Sequence, residues 1–170
     1  MSYDSRAIAN YFLDVAKRNG VPLDQMKLQK LVYYAHGWYL AVYGKRLINE
    51  QVEAWEFGPV IPSLYKAFGR FGRYAIDTKA AELNVDDISG SLGRNIVSLP
   101  DGDDSTRKFL DKIWTEYGKY SSVQLANATH AVGTPWHQVM EKYAGEIPRG
   151  TDIPDELMAD HFTGLAPAHG

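Results

Sequence analysis

The chain contains no cysteine. Disulfides, zinc fingers, thiol nucleophiles and redox dithiols are thereby excluded, and a cytoplasmic home is the default expectation. No apolar run approaches the length that crosses a bilayer, and the start Met1-Ser2-Tyr3-Asp4-Ser5-Arg6 lacks the apolar stretch of a secretory leader. Charge of one sign is scarce as well. The 18 Lys and Arg face 21 Asp and Glu, a net −3, whereas a dedicated nucleic-acid-binding domain is usually strongly basic. What the chain does have is apolar material: 45% of its 170 residues are hydrophobic and 12% aromatic, enough for one core without staples. There is no internal repeat. The expectation is a single domain over 1–162, with a flexible tail over 163–170 where no apolar stripe continues.

The charge is unevenly spread. Residues 1–73 carry ten Lys/Arg against six Asp/Glu, and residues 74–170 carry eight against fifteen. Surface scatter explains this, and so does a basic face that meets an acidic partner.

Apolar spacing predicts a mostly helical α+β fold with a small two- or three-stranded β element in the first half. Ile8, Tyr11, Phe12 and Val15 recur at helical spacing, with Asp4 or Ser5 as N-cap. A second, longer helix runs from Gln25 to Tyr43 behind Asp24, with Leu28, Leu31, Val32, Ala35, Tyr39 and Val42 on one side and Gly44 as its stop. The segment Gln51 to Phe57 alternates with a period of two, which predicts a strand paired with Leu47-Ile48 and broken by Gly58-Pro59. Pro62-Ser63 opens a helix that loses regularity at Gly69 and Gly72. Between Asp77 and Ser105 the pattern fades; a loop of that length is uncommon, so a short helix or strand is expected within it. Further helices are expected behind Ser105, Ser121 or Ser122, Thr134-Pro135 and Pro154.

Catalytic chemistry finds little support. No Gly-x-Ser-x-Gly elbow, Walker A loop or dinucleotide fingerprint is present. His130 and His137 are separated by Gly133 and Pro135, which breaks any helix that would aim both at one metal, so no metal and no cofactor are expected. Glu53 and Glu56 fall on opposite faces of a strand. Asp101, Asp103 and Asp104 suit a helix N-terminus. Gly69-Arg70-Phe71-Gly72-Arg73 has the spacing of a nucleic-acid clamp, but two glycines at a helix end read more simply as a cap. A base formed by His130 or His36 near Glu53 lacks any nucleophile beside it.

The aromatic residues remain. Tyr33, Tyr34, Trp38 and Tyr39 crowd one helix, Trp55, Phe57 and Tyr65 flank Gly58-Pro59, and Trp114, Tyr117, Tyr120 and Trp136 follow. Lys27, Lys30, Tyr34, Gly37 and Ala41 make a second stripe on the long helix, readable either as a partner surface or as a second core contact.

Three stretches, in order, resemble a known family. Lys27-Leu28-Gln29-Lys30-Leu31-Val32-Tyr33-Tyr34-Ala35-His36-Gly37-Trp38-Tyr39 is similar to the signature helix of the Panacea (SocA-like, GepA-like) antitoxin domain. Val52 to Tyr65 is similar to that family's Glu-Ala-Trp and Gly-Pro-Val stretch, and Trp114…Tyr117-Gly118…Leu125…Thr129-His130…Gly133-Thr134-Pro135-Trp136 supplies the third match. The resemblance spans about Ile8 to Tyr143. It implies a non-enzymatic cytoplasmic protein, encoded beside a toxin in bacteria, prophages or phage-defence elements, that neutralises the toxin by direct binding. Motif positions then nominate Lys27, Lys30, Tyr34, Trp38, Trp55, Gly58, Pro59, Tyr65, His130 and Trp136 as partner-binding residues. The expected partner is a cognate protein toxin from an adjacent gene, with no membrane or nucleic acid involved and a homodimer left open. Two alternatives stand beside this reading: an adaptor that delivers the toxin to a protease, and a nucleic-acid-binding regulator motivated by Lys27, Lys30, Lys45, Arg46, Arg70 and Arg73.

Overall fold

A computed structural model of the chain describes residues 1–85 and 89–166. Among them the elements run α1 (Ser5–Arg18), α2 (Gln25–Tyr43), β1 (Glu53–Trp55), β2 (Gly58–Val60), α3 (Pro62–Phe68), β3 (Ala81–Val85), β4 (Leu92–Ile96), α4 (Asp104–Tyr117), α5 (Ser122–His130), α6 (Pro135–Lys142) and α7 (Asp155–Leu165). The fold is α+β and mostly α, as the periodicity predicts. No helix among the described residues is long and apolar enough to cross a membrane.

Helix α2 is the centre of the domain. Asp24 caps its start by accepting from Lys27 N at 2.8 Å, and its length is enclosed by α1, α3, α4, α5, α7 and β2. Leu28, Leu31, Val32, Tyr33 and Ala35 are buried on one side, and so are Lys27, Lys30, Tyr34 and Gly37 on the other. The second stripe is therefore covered within the chain. Gly37 is required there by space: a Cβ would sit 2.0 Å from the Phe162 ring of α7. Phe162, wholly buried, also meets the rings of Tyr33, Tyr34 and Trp38 at 5.9, 5.8 and 5.5 Å.

Buried polar side chains tie the outer elements to the helices. The Asn10 amide donates to the carbonyls of Ala80 and Val97 and accepts from Ala80 N, each at 2.8 Å. The Gln29 amide donates to Ile61 O at 3.0 Å and accepts from Ile61 N at 2.9 Å. Each side chain replaces a strand's worth of backbone pairing, so the amide is buried without an orphaned group. Glu50 accepts from the hydroxyls of Ser5 and Ser63 and holds the first turns of α1 and α3 together.

Several local expectations are corrected. The partner of β1 is Gly58–Val60, with Trp55 opposite Gly58 and Ala54 opposite Pro59, so Gly58-Pro59 continues the hairpin instead of breaking it. Proline is tolerated because Ala54 N donates outward, to Thr151 O at 2.8 Å, which leaves the Ala54–Pro59 pair without need of the missing N–H. Ile153 N returns to Val52 O at 2.8 Å, giving β1 a second neighbour on its other edge. Leu47-Ile48 pairs elsewhere, in a parallel bridge between Ile48 and Tyr3. The unpatterned stretch holds a second hairpin, β3–β4. Its Leu83, Val85, Leu92 and Ile96 are exposed, which is why no buried alternation marks it. Asp103, not Ser105, caps α4 by accepting from Thr106 N at 3.2 Å. Helix α7 continues past Thr163 to Leu165, while 167–170 of the expected tail lie outside the described residues.

A buried histidine meets a half-buried carboxylate where α7 closes onto α2. His36 is fully enclosed; its Nδ1 accepts from Ile48 N at 3.4 Å and its Nε2 lies 3.6 Å from Asp155 Oδ1. Arg46 pairs with the same carboxylate and donates to Glu50 O at 2.5 Å. Burial holds His36 below its ordinary value despite the opposing pull of Asp155, and the contact with His36, with Arg46 beside it, holds Asp155 below the usual carboxylate range.

Two predictions follow from this packing. Gly37→Ala should destabilise the domain by about 1–3 kcal/mol through overpacking, and Phe162→Leu in the same chain should recover part of the loss; urea unfolding of the single and double variants measures both. Because His36 and Asp155 both have folded values below their unfolded ones, the unfolded chain binds protons more readily. Their stabilisation is thus full above pH about 6.5 and is lost as the pH falls, first through His36 and then through Asp155. Unfolding curves from pH 7.5 to 4.5 should show this fall, and His36→Asn should flatten its upper part.

Candidate partner-binding groove

The β1–β2 hairpin lies across the first half of α2. Its two-residue turn, Glu56-Phe57, projects Phe57 into solvent at 74% exposure. Trp55 packs edge-on against Tyr65 of α3, ring centres 5.0 Å apart. Between hairpin and helix runs a groove of about 370 Å³, bordered by Gln25, Met26, Gln29 and Lys30 of α2, by Trp55, Glu56, Phe57 and Val60, and by Tyr65. Met26 and Tyr65 are 45% and 50% exposed. With Phe57 they form an apolar rim of the kind that protein interfaces use as anchors.

The hairpin is held from beneath. Gly58 has φ +116°, and a Cβ on it would come within 3.0 Å of both Lys30 Nζ and His130 Nε2 and 3.2 Å of Thr129 Oγ1. Only glycine lets the hairpin settle this deeply on α2 and α5. Lys30 Nζ donates to Pro59 O at 3.0 Å, and Trp136 Nε1 donates to Trp55 O at 2.7 Å. The His130 ring lies 4.5 Å from that of Trp136. The Trp55 indole donates to Glu53 at 2.7 Å, so this carboxylate has a structural duty. Burial pushes Lys30 down to about 8.

The structure thus gathers Lys30, Trp55, Gly58, Pro59, Tyr65, His130 and Trp136 around one hairpin. Trp55 and Tyr65 reach its surface, whereas Lys30, Gly58, Pro59 and Trp136 are buried behind it and His130 is half-buried. Lys27, Tyr34 and Trp38 lie elsewhere, against the end of α4. Lys27 Nζ donates to Gly118 O at 2.7 Å and sits 5.8 Å from the Trp114 ring centre. Burial lowers its value, with Asp24 opposing. Tyr34 stacks on Tyr117 at 4.2 Å, and the Trp38 indole donates to the Tyr117 hydroxyl at 2.7 Å. Burial raises the Tyr34 phenol, and the neighbouring Tyr117 adds to it.

Sequence reasoning left Met26 out and treated Phe57 only as a flanking aromatic. The available signal was an aromatic at the tip of a tight turn, a place where polar residues usually stand.

The domain is thus a mostly helical fold that carries an apolar groove beside a rigid aromatic hairpin. Residues 28–137 match the family described as antitoxin SocA-like, Panacea domain, and the chain belongs to that family. It is similar to the protein named antitoxin SocA of Caulobacter vibrioides (strain NA1000 / CB15N), with 34% identity over 161 residues, 95% of this chain and 83% of that relative. No solved structure matches.

Gly58→Ala should cost about 1–3 kcal/mol, because it combines a disfavoured backbone with a crowded Cβ. Chemical unfolding followed by tryptophan fluorescence should register both the loss and a changed Trp55 and Trp136 environment.

Proposed function

We propose that this chain is an antitoxin that neutralises a protein toxin by direct binding, and that the groove beside the β1–β2 hairpin is its contact surface. The observation that carries this reading is the exposed apolar rim of Met26, Phe57 and Tyr65 around a hairpin locked from below. Membership of the antitoxin family supplies the class of partner. Binding alone suffices for the role, and no catalytic step is invoked. Lys30, Gly58, Pro59, His130 and Trp136 support the contact surface, while Trp55 and Tyr65 belong to it.

The regulator alternative has less to work with. Of the basic residues that suggest it, Lys27 and Lys30 are buried and Arg46 is paired with Asp155. Phosphate-driven binding needs such cations free at the surface.

Co-expression with the adjacent reading frame tests the proposal through growth and co-purification. The wild-type chain should rescue growth and hold the toxin in a stable complex. Phe57→Ala and Tyr65→Ala should each weaken that complex about tenfold or more, as anchors in an interface do, while leaving the unfolding midpoint unchanged. Rescue without a complex would favour the adaptor or regulator, and full binding by both variants would place the contact elsewhere.

A further inference from the structure

The first half of α2 concentrates positive charge that the domain does not neutralise. Lys27 and Lys30 are 8% and 3% exposed, and both ammonium groups end on neutral backbone carbonyls. Neither makes an ion pair among the described residues. The Asp24 carboxylate at the N-cap offsets the helix dipole and acts on Lys27, which leaves Lys30, one turn further in, as the buried cation without a counter-charge among the described residues. A buried charge without a counter-charge is costly and calls for an anion.

Lys30 is the one of the two that borders the groove. A lysine offers three N–H donors, and among the described residues this one donates to Pro59 O alone. Among the described residues one further buried polar atom beside it has no hydrogen-bond partner: His130 Nε2, which converges with Lys30 Nζ on Gly58. A cation at Lys30 and an apolar rim along the same groove match a polypeptide segment, which brings a carboxylate and apolar side chains together.

We propose that the groove receives a short apolar segment of the partner protein bearing a carboxylate, and that this carboxylate pairs with the Lys30 ammonium beside Gly58. The proposal deepens the toxin-binding reading and rests on it for the source of the segment. Charge complementarity selects the segment, and the Met26, Phe57 and Tyr65 rim supplies its apolar anchorage.

The test uses the full chain, with Lys30→Met and with Lys30→Gln, which drops the charge but keeps a donor for Pro59 O. Benzoate and its neutral analogue benzamide serve as probes, followed by the amide resonance of Gly58 and the indole resonances of Trp55 and Trp136. Wild type should bind benzoate at least tenfold more tightly than benzamide, and both variants should lose that preference. Lys30→Met should also weaken the toxin complex at least tenfold, and Lys30→Gln, which keeps a donor for Pro59 O, should weaken it as well. Equal binding of the two probes by wild type, or a toxin complex undiminished in both variants, would overturn the proposal. A clear benzoate preference in a chain that captures no toxin would uphold the carboxylate site and overturn the toxin-binding reading alone.

Discussion

Everything in this domain is arranged around a helix that has almost no outside. An amphipathic surface helix needs one apolar face; α2 is closed in by five other helices and a hairpin, so even its polar residues must find partners in the interior. Gln29 does so by pairing with the backbone of Ile61, His36 by meeting Ile48 and Asp155, and Lys27 and Lys30 by reaching carbonyls at Gly118 and Pro59. Each of these side chains fixes the element it touches. The polar content of α2 thus specifies which elements surround it, while its apolar content supplies the driving force.

This arrangement also explains how a small chain presents a rigid surface. A hairpin of two three-residue strands is marginal by itself. Here it is fastened at Pro59 by Lys30, at Trp55 by Trp136, and along its free edge by Thr151 and Ile153. Most of its polar anchoring is spent facing inward. The side chains left facing solvent at the tip and rim are Phe57, Met26 and Tyr65.

Much of the helical framework was legible in the sequence because caps and stops are local. Asp24 and Gly44 bound α2, Ser121 with Gln124 forms a capping box, and Thr134-Pro135 opens α6, all as residue chemistry dictates. The strand partner was not legible. Gly58-Pro59 reads as a breaker unless one knows that Ala54 turns its N–H to Thr151, far away in sequence. The β3–β4 hairpin was hidden for another reason: its apolar residues face solvent, so burial imposes no alternation on them. The aromatic and basic stripe of α2 illustrates the limit of residue type as a guide. Lys27, Lys30 and Tyr34 look like surface residues by chemistry, yet long-range packing by Gly118, Pro59 and Tyr117 encloses them.

The Phe162–Gly37 contact has a consequence for how the chain comes into being. Helix α2 is made early, with a notch at Gly37 shaped for a ring that is translated long afterwards. Until α7 arrives, the rings of Tyr33, Tyr34 and Trp38 that Phe162 covers remain open, and the polar group at His36 lacks Asp155. Closure of the core is therefore a late event relative to the making of α2, tied to the emergence of α7. Protein interrupted before α7 would expose aromatic surface from its own centre, and only chains carried through Phe162 would set the notch, the rings and the buried histidine in place together.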